Sequence, residues 1–419
     1  MPIHIEQAAG APRRAGAREL TAMLAGLMAL NSLAIDAMVP ALPQIGESLR
    51  VAHENDRQLV VVAYFLGFAS TQLVWGPLAD RFGRKPILAA GVTLYTAFAL
   101  LCGIAESFPL LIAGRVAMGA SAAVTRVLVV AMVRDLFEAE EMARVMSLVF
   151  MVFMVVPVLA PNIGQGILLV ASWRAIFLVL GAYGLIMLTW GTLRLPETLH
   201  PEYRRTLNWR EIGGAAWETV REPLSRGYTL ALTVTFAALI AYISSIQQIV
   251  FDVFHKPQLI GLVFGAIAAP MALASWANSR IVGRFGLRRV GHSASAALVV
   301  VTAVHAAVGL NSHESLAVFI LFQALTMCCF ALASSNLSTL AMEHMAAIAG
   351  TASSVQGVVG TVGAAIFGFF IGRAFDGTLA PYLIGVALCA AGGFILVVLT
   401  EPKQLFAPIK ADNGERVAA

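Results

Sequence analysis

Asp36, Arg115 and Arg126 are ionisable residues set inside stretches that are otherwise long and apolar. An acid or a base on such a run costs about 3 kcal/mol on membrane-insertion scales and usually faces a cavity. Asp36 falls about 17 residues beyond Glu19, roughly 25 Å along a helix. Burial and a neighbouring cation pull the ionisation of any carboxyl in opposite directions, so a substrate cation or a moving arginine would switch its charge. The plainer alternative is that Asp36, just ahead of Pro40 and Pro43, caps a loop near the outer surface. Arg115 is expected at a similar depth, and Arg126 eleven residues, about 16 Å, further in. Two such cations need partners or water. Arg126 reads as a second counter-ion or a contact for a substrate anion, and backbone carbonyls are the structural alternative for both.

Uncharged polar residues cluster too. Tyr242, Ser244, Ser245, Gln247 and Gln248 share one apolar run, and Ser334, Ser335, Asn336 and Ser338 another. With Asn31, Tyr64, Trp190 and several methionines they suit an apolar pocket bearing a few polar hooks for hydrophobic compounds of drug size, although each singly is more often a helix-packing contact. Pro157, Pro161, Gly164 and Gly166 would bend a helix and let a neighbour pack closely. Intramembrane catalysis needs a nucleophile with a base, or a clustered metal site. The eight histidines are scattered, and Cys102, Cys328, Cys329 and Cys389 lie singly or adjacent in apolar runs as small fillers. No enzyme, metal or cofactor is expected.

The elements that must position these residues follow from composition. Of 419 residues 59% are hydrophobic and 12% charged, with mean hydropathy +0.80, against roughly 25% charged in soluble domains. A span needs about 20 apolar residues, which predicts twelve, at 20–43, 58–79, 86–105, 109–133, 143–170, 174–195, 228–251, 258–282, 290–309, 315–341, 350–372 and 381–400. Arginine and lysine crowd one set of connections, while the other holds only Arg50, Arg57, Arg174, Lys256 and Arg373. That bias puts both termini, 1–19 and 401–419, in the cytoplasm. The net charge of +4 is thus a topology signal, and no nucleic-acid partner is expected. The polar connection 196–227 separates bundles 20–195 and 228–400. Within it WREIGGAAWETVREPL fits either an amphipathic helix on the inner surface or a solvated linker.

Between spans 2 and 3 the chain reads WGPLADRFGRKPIL, residues 75–88. Gly76 is expected to let another backbone approach, Asp80 to cap and pair, and Arg81, Arg84 and Lys85 to hold the turn at the headgroups, with Pro86 in the first turn of the next helix. Arg81-Phe82-Gly83 recurs as Arg284-Phe285-Gly286, 203 residues on, so the halves are parallel repeats. The repeat has Gly283 in place of Asp80, so an acidic lock is expected only in the first half.

Gly76, Asp80, Arg81, Gly83, Arg84 and Lys85 in that order resemble the loop 2–3 signature of the major facilitator superfamily, and YFLGFASTQLVWGPLADRFGR resembles its Bcr/CflA drug-resistance branch. RDLF at 134–137 and SWRAIF at 172–177 extend the likeness over most of the first half; beyond 290 it thins. The resemblance implies an all-helical membrane fold of two six-helix bundles. IDAMVPALP at 35–43 resembles the span 1 motif, which implies proton and substrate binding by Asp36; Met38 stands where relatives commonly have an aromatic. RVAMGASAA at 115–123 resembles the span 4 motif, which implies proton coupling for Arg115 and close packing for Gly119. Pro161 and Gly164 match the span 5 antiporter motif, with Gln165 in place of a second glycine.

The expected function is a proton-driven exporter of a small hydrophobic substrate, a monomer in the inner membrane using the proton gradient, in which Asp36 is claimed alternately by proton and cargo. A symporter or facilitator taking up a metabolite fits the same fold, and a non-transporting receptor scaffold is the reading from another class.

Overall fold

The computed structural model describes residues 16–137, 139–199, 202, 209–311, 314–345 and 348–407. Among them are fourteen α-helices and no strand. In order they are α1 (Ala17–Asp36), α2 (Leu42–Ser48), α3 (Leu59–Phe82), α4 (Arg84–Gly103), α5 (Phe108–Leu136), α6 (Ala139–Leu168) and α7 (Trp173–Arg194). Then follow α8 (Trp209–Arg221), α9 (Pro223–Gln248), α10 (Ile260–Phe285), α11 (Leu287–Asn311), α12 (Leu316–Ala341), α13 (Ala349–Arg373) and α14 (Ala380–Thr400). All twelve expected spans are helical. The first is α1 followed by a 3-10 turn, Val39–Ala41, and α2; the others are α3 to α7 and α9 to α14.

The chain divides into two compact units between Trp209 and Arg210. In the N-terminal unit α1 packs on α5, α6 and α7, α3 on α5, and α4 on α5 and α7. In the C-terminal unit α9 packs on α12, α13 and α14, α10 on α12, and α11 on α12 and α14. Helix for helix the second pattern repeats the first, which is what the recurring Arg-Phe-Gly requires. In each copy the glycine ends a helix at a backbone angle that only glycine adopts freely, φ +105 at Gly83 and +88 at Gly286.

Within the polar connection, Trp209–Arg221 is helical and Trp217 is exposed. Apolar and charged residues recur there at helical spacing, and Pro223 starts the next helix afresh.

Candidate functional site

In the N-terminal unit Asp36 and the Arg115 guanidinium both lie at the break of α1. Asp36 is the last residue of α1. Pro40 lies in the 3-10 turn that follows, and Pro43 in the first turn of α2. A proline lacks the N–H that would continue the ladder, so the helix stops and restarts. The break is not an exposed loop: Asp36 is 3% exposed and Ala37, Met38 and Val39 are buried. Among the described residues no ion pair reaches the Asp36 carboxylate.

Arg115, on α5, is fully buried. Its Nε donates to the Val60 carbonyl at 2.8 Å and its Nη1 to the Ala34 carbonyl at 3.0 Å. The guanidinium lies 4.6 Å over the Tyr64 ring. Ala34 carries one of the carbonyls that the end of α1 leaves without a helical donor, and the C-terminal end of a helix dipole favours a cation. The arginine thus caps α1, the role kept open above as its structural alternative. Its Nη2 has no hydrogen-bond partner among the described residues.

α6 crosses the same break. A Cβ at Gly164 would collide with the Ala37 carbonyl, so only glycine admits the approach. Pro157 and Pro161 lie inside α6, so the stretch that carries them meets the acid's neighbour at Gly164. Gly166 faces open space.

Below the break, Tyr64 donates to Asn31 Oδ1 at 3.1 Å, and Asn31 Nδ2 donates to Thr125 Oγ1 at 2.7 Å. All three are buried. Thr125 was missed by the sequence reading; its signal was a threonine beside Arg126 in an apolar run. Arg126 itself is on an exposed face of α5. Gly119 packs on the Tyr64 carbonyl and Gly67 on that of Val116, pinning α3 to α5.

The close approach expected of Gly76 belongs to those two residues instead. A Cβ at Gly76 would meet only a Val127 methyl at 3.7 Å, because the helices cross nearer Gly67 and Gly119 than the hairpin. Trp190 also leaves the expected pocket: its Nε1 donates to Glu19, which Arg194 holds at 2.6 Å, so it belongs to an ion pair tying α7 to the start of α1.

In the hairpin, Arg84 is buried and pairs with Asp80 at 2.7 Å and Asp135 at 3.3 Å. The Arg84 and Lys85 N–H groups donate to the Glu197 carboxylate at 2.9 and 3.3 Å. An acid at the first turn of α4 satisfies orphan donors and opposes the positive helix end. Arg81 lies 5.0 Å over the Phe82 ring.

The lock expected only in the first half has a counterpart in the second. Arg288 makes hydrogen bonds of 2.8 and 2.9 Å to the two Glu401 oxygens and one of 2.7 Å to Glu343. Tyr228 donates to Glu401 at 2.6 Å, and His292 Nδ1 accepts from the Phe406 N–H. Gly283 removes the acid inside the hairpin, but acids just beyond α12 and α14 replace it, at sequence distances that pattern reading does not connect. Burial pushes the Glu401 carboxyl up, but hydrogen bonds from Arg288 and Tyr228 outweigh it and hold it below the usual range.

In the C-terminal unit the Tyr242 ring packs against Phe264 of α10, tilted at 51° with centroids 5.6 Å apart. Ser244, Ser245, Gln247 and Gln248 are 0 to 3% exposed, and Ser244 Oγ, Ser245 Oγ and Gln247 Nε2 have no hydrogen-bond partner among the described residues. A π-helical turn, Ile249–Val253, follows directly, a feature frequent at functional sites. Asn336 stands apart from them: its Nδ2 donates to Asn278 Oδ1 at 2.9 Å and to the Leu332 carbonyl, bridging α12 to α10.

The Major Facilitator Superfamily profile matches residues 24–368. The chain is 30% identical to a bicyclomycin resistance protein homolog of Haemophilus influenzae, over 87% of this chain and 91% of the relative. It is also 30% identical to an uncharacterized MFS-type transporter, YdgK, of Bacillus subtilis, over 81% and 85%. The multidrug resistance protein MdtL of Escherichia coli matches at 33% over 41% of this chain and 44% of its own length. Among solved structures, a D-xylose-proton symporter shares the fold at TM-score 0.71 and 13% identity, covering 91% of this chain and 96% of its own. Family profile, full-length relatives and twelve-span fold agree: the chain belongs to the Major Facilitator Superfamily and is a multi-pass membrane transporter of small molecules, not an enzyme.

Proposed function

We propose that the chain exports small hydrophobic, drug-like compounds in exchange for protons, by alternating access. The observation that carries this reading is Asp36, buried at the break of α1 without an ion-pair partner among the described residues, where α6 and the Arg115 clasp converge. A buried charge with no partner is expensive. Loss of the proton from Asp36 is therefore tied to arrival of cargo, and the two occupants compete for one carboxyl. The similarity to the bicyclomycin resistance homolog and to MdtL supports drugs as the cargo class.

Each proton entering down 100 mV supplies about 2.3 kcal/mol, enough for a gradient of roughly fiftyfold in a neutral substrate. The proton gradient is then the energy source, with no cofactor. The arginine and lysine bias supports a cytoplasmic-membrane location with both termini inside, and one chain supplies both units, so a monomer suffices. Within the C-terminal unit, Tyr242, Gln247 and Gln248 of α9 are the cargo contacts of this reading.

The test is drug-induced proton release in everted vesicles with bicyclomycin and ethidium as probes. Wild-type vesicles should exchange drug for protons and Asp36→Asn vesicles should not. Full proton-dependent efflux by Asp36→Asn would overturn the assignment, and drug moving in the same direction as the protons would mean symport.

A further inference from the structure

The C-terminal unit holds a buried histidine–carboxylate pair that the mechanism above leaves unused. His305 lies six residues before the end of α11, and Glu314 two before the start of α12. Their side chains are 3% and 0% exposed, with Nε2 2.9 Å from Oε1. The imidazole stacks on Phe322 with ring centroids 4.9 Å apart and lies 5.7 Å from Phe319. Glu314 Oε2 has no hydrogen-bond partner among the described residues. It rests against Gly309 of α11, where a Cβ would come within 2.8 Å of it, so the helix makes room for the carboxylate.

The surrounding elements bring little charge. α14 contributes Tyr382, whose hydroxyl donates to Gln323 Oε1 at 2.8 Å and whose ring is 6.1 Å from Phe319. The turn after α9 contributes Phe254, 5.7 Å from Phe319, with Asp252, His255 and Lys256 the charged or titratable groups of that segment. His313 precedes Glu314 in sequence and lies outside the described residues. Among the described residues no arginine or lysine forms an ion pair with Glu314.

A neutral imidazole donating to a carboxylate carries one net negative charge, held here in an aromatic shell. One further proton, on Nδ1 or on Oε2, makes the pair neutral. Buried charge without a counter-charge is disfavoured, and the unpartnered Oε2 leaves the pair a place for one more proton. We propose that His305 and Glu314 form a second proton-binding site, carried by the C-terminal unit and separate from Asp36. Its use in transport rests on the exporter reading; the binding of the proton does not. In that cycle each half of the molecule carries a proton-loading group, and Glu314, in the connection between spans 9 and 10, takes its proton from the outer side.

The experiment counts protons taken up by the purified, detergent-solubilised full chain when a weakly buffered solution with a pH dye is taken from about pH 8 to about pH 5. Glu314→Gln keeps the shape and the hydrogen bond and should take up about one proton fewer per chain than the parent. Asp36→Asn should remove a different proton, additive with the first, and His313→Ala should leave the Glu314-dependent proton in place. An unchanged count in Glu314→Gln overturns the proposal. Should that variant fail to fold, 15N-histidine and infrared carboxyl spectra of the parent decide: a change of state at the His305 imidazole or at the Glu314 carboxyl band supports the site, and an imidazole and a carboxyl band that both keep one state across the range overturn it. A chain that moves no drug in vesicles yet loses the Glu314-dependent proton fails the exporter reading and keeps this one.

Discussion

Arg115 donates from Nη1 to the carbonyl oxygen of Ala34 at 3.0 Å, two residues ahead of Asp36, so the guanidinium grips the backbone of the acid's helix. Position and protonation are thereby separated. The clasp is made to backbone oxygens, and among the described residues no ion pair joins it to the Asp36 carboxylate.

Substitution should separate them too. Arg115→Lys loses the fork that reaches Val60 and Ala34 together, and hydrogen bonds from charged groups contribute about 1.5–3 kcal/mol each. A loss of roughly 2 kcal/mol is expected in denaturant unfolding in detergent. Asp36→Asn should unfold within about 0.5 kcal/mol of the parent, as expected where no ion pair is broken, while losing coupled transport. A drop of 3 kcal/mol or more in Asp36→Asn, the scale of a broken buried pair, would place the two side chains in a salt bridge.

The glycines of α6 make a paired test. Gly164→Ala drives a methyl into the Ala37 carbonyl and should cost about 1–3 kcal/mol, as overpacking does, with transport impaired. Gly166→Ala and Gly76→Ala meet open space and an ordinary methyl contact, and should be neutral or slightly stabilising through helix propensity. Melting temperatures of the three variants check the order.

The clamp in the C-terminal unit should depend on Arg288. Its removal strands Glu401, whose side chain is 12% exposed, so Arg288→Ala should lose about 3 kcal/mol, the lower end for breaking a buried pair. Because the Glu401 carboxyl sits below its ordinary value in the folded chain, its contribution is present above the unfolded value of 4.5 and disappears as pH falls through the folded one. Acid unfolding of the parent should be steeper than that of Glu401→Gln.

His344 and Glu222 predict the opposite slope. His344 Nδ1 lies 3.0 Å from Glu222 Oε1, and that hydrogen bond raises the imidazole above its usual 6.5. Its contribution is complete below 6.5 and fades as pH rises through the folded value. The Glu222 carboxyl, pushed up by burial, is brought below its ordinary range by the Ser225 and Leu224 N–H groups and by His344. Histidine NMR should show the His344 titration move down toward 6.5 in Glu222→Gln; an unmoved midpoint would mean the pair does not form.

How much was legible beforehand differs by residue. Asp36 stood out because a carboxyl within an apolar run violates the local pattern, and the twelve spans because membrane length and hydropathy are local quantities. Gly83 was legible only as a member of the hairpin signature, and its φ of +105 comes from the structure. Gly76 and Trp190 were misplaced because a helix crossing point depends on which residues of two distant helices come level, which neither segment encodes alone. The second clamp escaped notice because Arg288, Glu343 and Glu401 lie 55 and 113 residues apart.

From its own letters, then, the chain determines that it spans a membrane twelve times in two related halves, since backbone in lipid must satisfy its own hydrogen bonds and apolar runs of about 20 residues do so as helices. Only the tertiary structure decides that Arg115 serves a carbonyl, that Gly164 is pressed against Ala37, and that His305 meets Glu314. Those pairings depend on the packing of elements far apart in sequence, where distance in space and distance along the chain are unrelated.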